Sequence, residues 1–190
     1  MQAAGQADHP SSRSPGTRTL LVPVAVGGAA AITIGVYGSL HTPTGVGVSL
    51  AGFSSPVTVK VWLASASGML ALVQLASALV MYGRVPGLTA PRWTAGLHRW
   101  SGRAAFLLAV PVAVHCLYAL GASYQDPRTL LHSLAGCLFF GAFTTKMLIL
   151  RAPAAPGWAL PLAGGLVFVT LAGLWLTASL WFFITVGPQI

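Results

Sequence analysis

A chain of 190 residues that is 55% hydrophobic and 6% charged, with a mean hydropathy of +0.78, carries too few charges to cover a soluble domain. Its length suits one compact bundle without a separate soluble domain. The formal charge of +8 comes from basic residues set beside apolar runs, so it reads as membrane orientation, and no nucleic-acid partner is expected.

Nearly continuous apolar runs of about twenty residues predict an all-α, polytopic membrane protein whose first partner is the lipid bilayer. Membrane β-strands would alternate at period two, which these runs do not do. Residues 1–19 are rich in Ser, Pro, Gly and Ala, and predict a disordered cytoplasmic tail that includes His9. The first of five transmembrane helices covers about residues 20–40. Gly27, Ala31 and Gly35 fall four apart on one ridge, a spacing that lets helices approach closely. His41 closes this span, and Pro43 and Gly45 break it.

The second span covers about residues 57–82, with Lys60 placed to snorkel to the interface and Gln74 to hydrogen-bond a neighbouring helix. The third and fourth, about 96–120 and 129–150, are separated by GASYQDPR. Cys116 and Cys137 within them read as small apolar filler rather than a disulfide. The fifth, about 158–186, has no ionisable residue and is expected to close the bundle with one face toward lipid. With the N-terminus in the cytoplasm and the C-terminus outside, Arg13, Arg18, Arg84, Arg92, Arg99, Arg103, Lys146 and Arg151 lie at the inner face. Only Lys60, Arg128 and Asp126 lie at the outer one, the bias expected of a multi-pass plasma-membrane protein.

Ionisable side chains within a bilayer are expensive and mark function by default. Residues 96–150 hold three of the five histidines: His98, His115 and His132. His115 lies 17 residues beyond His98, about 25 Å further along a helix at about 1.5 Å per residue. It therefore shares an outer depth with His132, with His41 at the outer boundary and His98 near the inner face. Two imidazoles at one depth, with small residues four positions on (Gly102 after His98, Ala119 after His115, Gly136 after His132), suit an iron porphyrin. Metal–nitrogen bonds of about 2 Å hold two such Cα atoms roughly 12 Å apart. Neighbouring helix axes lie only about 8–10 Å apart, so the pair requires diagonal or splayed helices. The favoured ligands are His115 and His132, with His41 the alternative partner for His115. His98 has no histidine at its own depth. A quinone head group, a haem propionate or a lipid phosphate are its candidate contacts, together with Arg99 and Arg103 and with Lys146 beside them.

The segments L-H98-R-W-S-G102 and L-H132-S-L-A-G136, each a His-x-x-x-Gly opening a span, resemble helix starts of cytochrome b561 and related ferric-reductase-like transmembrane cytochromes. The resemblance covers about 55 residues. It implies a helical bundle holding b-type haem and passing electrons, with His132, His98 and His115 as candidate ligands and Gly102 and Gly136 beside the ring. Such cytochromes typically hold two haems, one per leaflet, and this chain has too few inner histidines for that. With no nucleotide- or flavin-binding segment either, the expectation is one haem b near the outer face. It would exchange electrons with quinol in the bilayer or with a separate extracytoplasmic redox protein or membrane-complex subunit, as the haem-carrying part of an oxidoreductase. The competing expectation is a cofactor-free structural or assembly subunit using histidines as polar glue. A metal transporter comes third, because Asp8 and Asp126 both lie outside the spans. Hydrolytic chemistry has no acid inside the bundle with which to build a triad.

Overall fold

The computed structural model describes residues 15–47 and 49–190. Most of the expected tail, residues 1–14 with His9 and Arg13, therefore lies outside the described residues. The rest of it holds one helical turn, α1 (Pro15–Arg18). Five helices long and apolar enough to cross a membrane follow: α2 (Leu21–Leu40), α3 (Pro56–Met81), α4 (Thr94–Leu120), α5 (Pro127–Ile149) and α6 (Ala159–Thr185). No strand occurs among the described residues. The spans read from hydropathy agree with these helices to within three residues at each end.

Local chemistry sets the starts. Ser55 and Thr58 form a reciprocal capping box at α3, each side chain taking the other's backbone N–H at 3.2 Å, with Pro56 in the first turn. Asp126 caps α5 by accepting from the N–H groups of Arg128 and Thr129 at 3.0 and 3.1 Å, ahead of Pro127. Two helices change pitch in the half of the bundle that holds Asp126. α4 becomes π-helical over His115–Leu120, four residues after Pro111, whose ring nitrogen cannot donate within the helix. α6 does so over Leu176–Leu180. Gly121, at φ +71°, stops α4 where a side chain could not follow, against the ring of Pro43.

The helices pack in the order α2, α5, α6, α3, α4, with the π-turn of α4 returning to α2. The α2–α5 contact is the ridge foreseen from Gly27, Ala31 and Gly35. A Cβ on Gly27 would meet the Gly141 carbonyl at 2.5 Å as well as the Thr145 hydroxyl, Ala31 lies against Gly141, and Gly35 faces Cys137. The carbonyl ends of the π-turn in α4 are met by the following chain of α2: Thr44 and Gly45 donate their N–H to Tyr118 and Ala119 at 3.1 and 3.0 Å. As a result α4 and α5, consecutive in sequence, face each other across the bundle instead of packing side by side. A small core of Ala71, Ala109, Phe139 and Leu171 fills its middle.

Candidate cofactor cavity

Between α4 and α5 lies a partly open cavity of about 130 Å³, walled by all five long helices. Small residues make the room: Gly35 and Gly38 on α2, Ala64 and Ser67 on α3, Ala109 and Ala113 on α4, and Gly136 on α5. Gly136, one turn below His132, meets nothing closer than a Leu174 methyl at 3.8 Å, so the space beside His132 is open.

His132 is the histidine of this wall. Its Nδ1 lies 2.9 Å from the Thr177 hydroxyl on α6. That hydroxyl has one proton and places it on the Gly173 carbonyl at 2.7 Å, so it accepts from the imidazole. Donation from Nδ1–H to Thr177 would leave the Nε2 lone pair for a ligand or a metal. Arg128, one turn earlier on α5, donates to the Thr177 carbonyl at 2.8 Å and lies over the Trp181 ring at 4.1 Å. The side chain and carbonyl of one residue in the α6 π-turn thus hold both the histidine and the arginine that open α5.

The other predicted residues go elsewhere. His115 is half-buried, and its ring lies against Gly47 in the α2–α3 connection, near Pro56. It does not line the cavity, though its neighbour Cys116 does. The structure thus does not bring His115 and His132 onto one wall. His41 donates from Nε2 to the Tyr118 carbonyl at 3.2 Å, a carbonyl being able only to accept. Its ring is stacked between Tyr37 and Tyr118, each centroid 5.0 Å away, which makes it a strut between α2 and α4. Ala119, expected to leave room beside His115, is buried beneath Gly45.

His98, at the opposite end of the bundle, repeats the His132 arrangement. Ser77 on α3 gives its proton to the Val73 carbonyl at 2.7 Å and accepts from His98 Nδ1 at 2.9 Å. Gly102, one turn on, does not leave space for a ring: the Gln74 amide occupies it, 2.9 Å from where a Cβ would stand. Gln74 donates to the Ser101 hydroxyl at 2.7 Å and to the His98 carbonyl, as expected of an interhelical donor.

Thr177 and Ser77 were not singled out by sequence. Lys60, expected to snorkel to the interface, also lines the cavity. Nor does α6 merely close the bundle, since Trp175 Nε1 donates to Ser65 at 3.0 Å and Ser179 to the Val61 carbonyl at 3.3 Å. Only the i, i+4 register of Arg128 and His132 would have hinted that α5 presents both to one partner helix. Cys116 and Cys137 are free thiols, and no group of three or more His, Cys, Asp or Glu side chains converges on a metal position among the described residues.

The chain belongs to a family of unknown function, DUF6529, which matches residues 20–190. That match covers the whole bundle. No curated protein and no solved structure matches the chain.

Proposed function

We propose that this chain is a membrane-bound b-type cytochrome or electron-transfer subunit, with one haem b in the cavity near the outer face of the membrane. It is oriented with its N-terminus in the cytoplasm and its C-terminus outside, and relays electrons between quinol and a separate extracytoplasmic redox protein. The observation that carries the reading is His132, held through Nδ1 by Thr177, on the wall of the cavity between two diagonal helices. Haem would supply the one-electron chemistry; the protein sets position and potential. His132 would be one ligand, its tautomer fixed by Thr177, as metal-bound imidazoles usually are by a second hydrogen bond. His115, next to the cavity-lining Cys116 on the facing helix, would be the other only once its ring leaves Gly47, with His41 left to its tyrosine stack. Gly136 keeps the space beside His132 clear, and Lys60 offers a cation to an acidic group bound there.

Purified protein expressed with added haem should show b-type absorbance bands that sharpen with dithionite. His132→Ala should abolish them and His115→Ala should change the ligation signature. A colourless wild type sinks the reading.

One observation favours a second reading, a cofactor-free structural or assembly subunit. His41, His98 and His132 each bond to a neighbouring helix, as polar glue would. Under it, His132→Ala lowers the melting temperature while no spectrum exists to change.

A further inference from the structure

The chain has two lysines, Lys60 and Lys146, each within a long helix and each lining a different cavity. The cavity of Lys146, about 60 Å³ and open on one side, lies among α3, α4, α5 and α6 at the end of the bundle away from Asp126. Phe139 and Leu171 belong to the walls of both cavities and separate them. The Lys146 ammonium makes no hydrogen bond or ion pair among the described residues. Among the described residues no carboxylate lies there: the same end carries Arg18, Arg84, Arg92, Arg99, Arg103 and Arg151, and the one described acid, Asp126, is at the far end. A cation lining a largely apolar pocket with no counter-charge among the described residues suits an anion from outside.

A polar group in the lining of the same cavity, Gln74, narrows the chemistry. Ser101 gives its proton to the Leu97 carbonyl at 2.7 Å, so it accepts from Gln74 Nε2, and the second N–H of that amide goes to the His98 carbonyl. Both amide protons are committed, which leaves the Gln74 oxygen, lying against Gly102, as a free acceptor. The pocket offers one cation and one acceptor, with Phe106, Phe143 and Phe168 around them. That set suits a ligand with an anionic oxygen, a hydroxyl and a hydrocarbon tail. A neutral quinone would leave the lysine charge unanswered.

We propose that this cavity binds an anionic phospholipid whose head group carries a free hydroxyl, of the phosphatidylglycerol class. Its phosphate sits on Lys146, its hydroxyl donates to Gln74, and its tail lies against the phenylalanines. Basic pockets between membrane helices are suited to such head groups. The inference does not rest on haem.

The test places the full chain in nanodiscs and reads lipid retention by native mass spectrometry. Phosphatidylglycerol should be retained over phosphatidylcholine, and Lys146→Met should weaken that preference roughly fivefold while Lys146→Arg keeps most of it. Phosphatidylmethanol, anionic but without the hydroxyl, should bind several-fold less well to the wild type, a comparison that needs no variant to fold. The proposal is overturned if the wild type shows no preference for phosphatidylglycerol. It also fails if Lys146→Met retains that lipid unchanged, if soluble glycerol phosphate alone displaces it, or if an uncharged quinone analogue does.

Discussion

His132 shows how one hydroxyl decides what an imidazole can do. Because the Thr177 proton is held by the Gly173 carbonyl, the histidine must donate from Nδ1. Thr177→Val removes that acceptor without changing the size of the side chain much. If His132 ligates haem, the variant should bind haem roughly 10–100-fold more weakly and with a shifted midpoint potential, read by redox titration. An unchanged potential and affinity would show that Thr177 does not orient a ligand. Asp126 is a described residue outside the spans at which pH acts. Hydrogen bonds from the Thr129 hydroxyl, first, and then the N–H groups at the start of α5, hold its carboxyl below the ordinary value of 3.8. A depressed folded pKa stabilises above the unfolded value and is lost as pH falls through the folded one. Hydrogen exchange at the Arg128 and Thr129 amides should therefore stay slow down to the ordinary carboxylate range and quicken only below it. Fast exchange at neutral pH would contradict the cap.

At the scale of elements, the α2–α5 crossing depends on the absence of side chains. A Cβ at Gly27 would fall on the Thr145 hydroxyl and the Gly141 carbonyl, which is helix backbone and cannot move aside cheaply. Gly27→Val should destabilise the fold by about 1–3 kcal/mol, the usual cost of overpacking, read as lost melting temperature in detergent. Gly28→Val, one residue along where nothing lies within 4 Å, should leave it nearly unchanged. This ridge was legible in sequence because small residues at four-residue spacing have one main use between membrane helices. The two π-turns were not legible. No residue pattern marks them, and their effect, aiming Thr177 at His132 and the His115 ring at Gly47, is a matter of helix pitch. Gly102 was misread for a related reason. Spacing places a glycine on a helix face, but what fills the gap, here the Gln74 amide, comes from a neighbouring helix.

For the whole molecule, the basic residues gather at one end, and the proposed orientation, with that end in the cytoplasm, rests on the positive-inside bias. A reporter fused after Ile190 should be active only when it folds outside the cytoplasm, and activity of a cytoplasm-only reporter at that position would reverse the topology. Hydropathy and charge placement alone determined the five helices, their approximate ends and this expected orientation, because lipid forces each span to satisfy its own backbone and to be apolar for its full length. The order in which the helices surround the cavity was decided by tertiary packing. It sets α4 and α5 opposite one another, opens the space beside His132 and turns His115 and His41 to other partners. Side-by-side arrangement in a bilayer is chosen by fit among small residues and a few hydrogen bonds between helices distant in sequence, and a single chain of letters carries no measure of that fit.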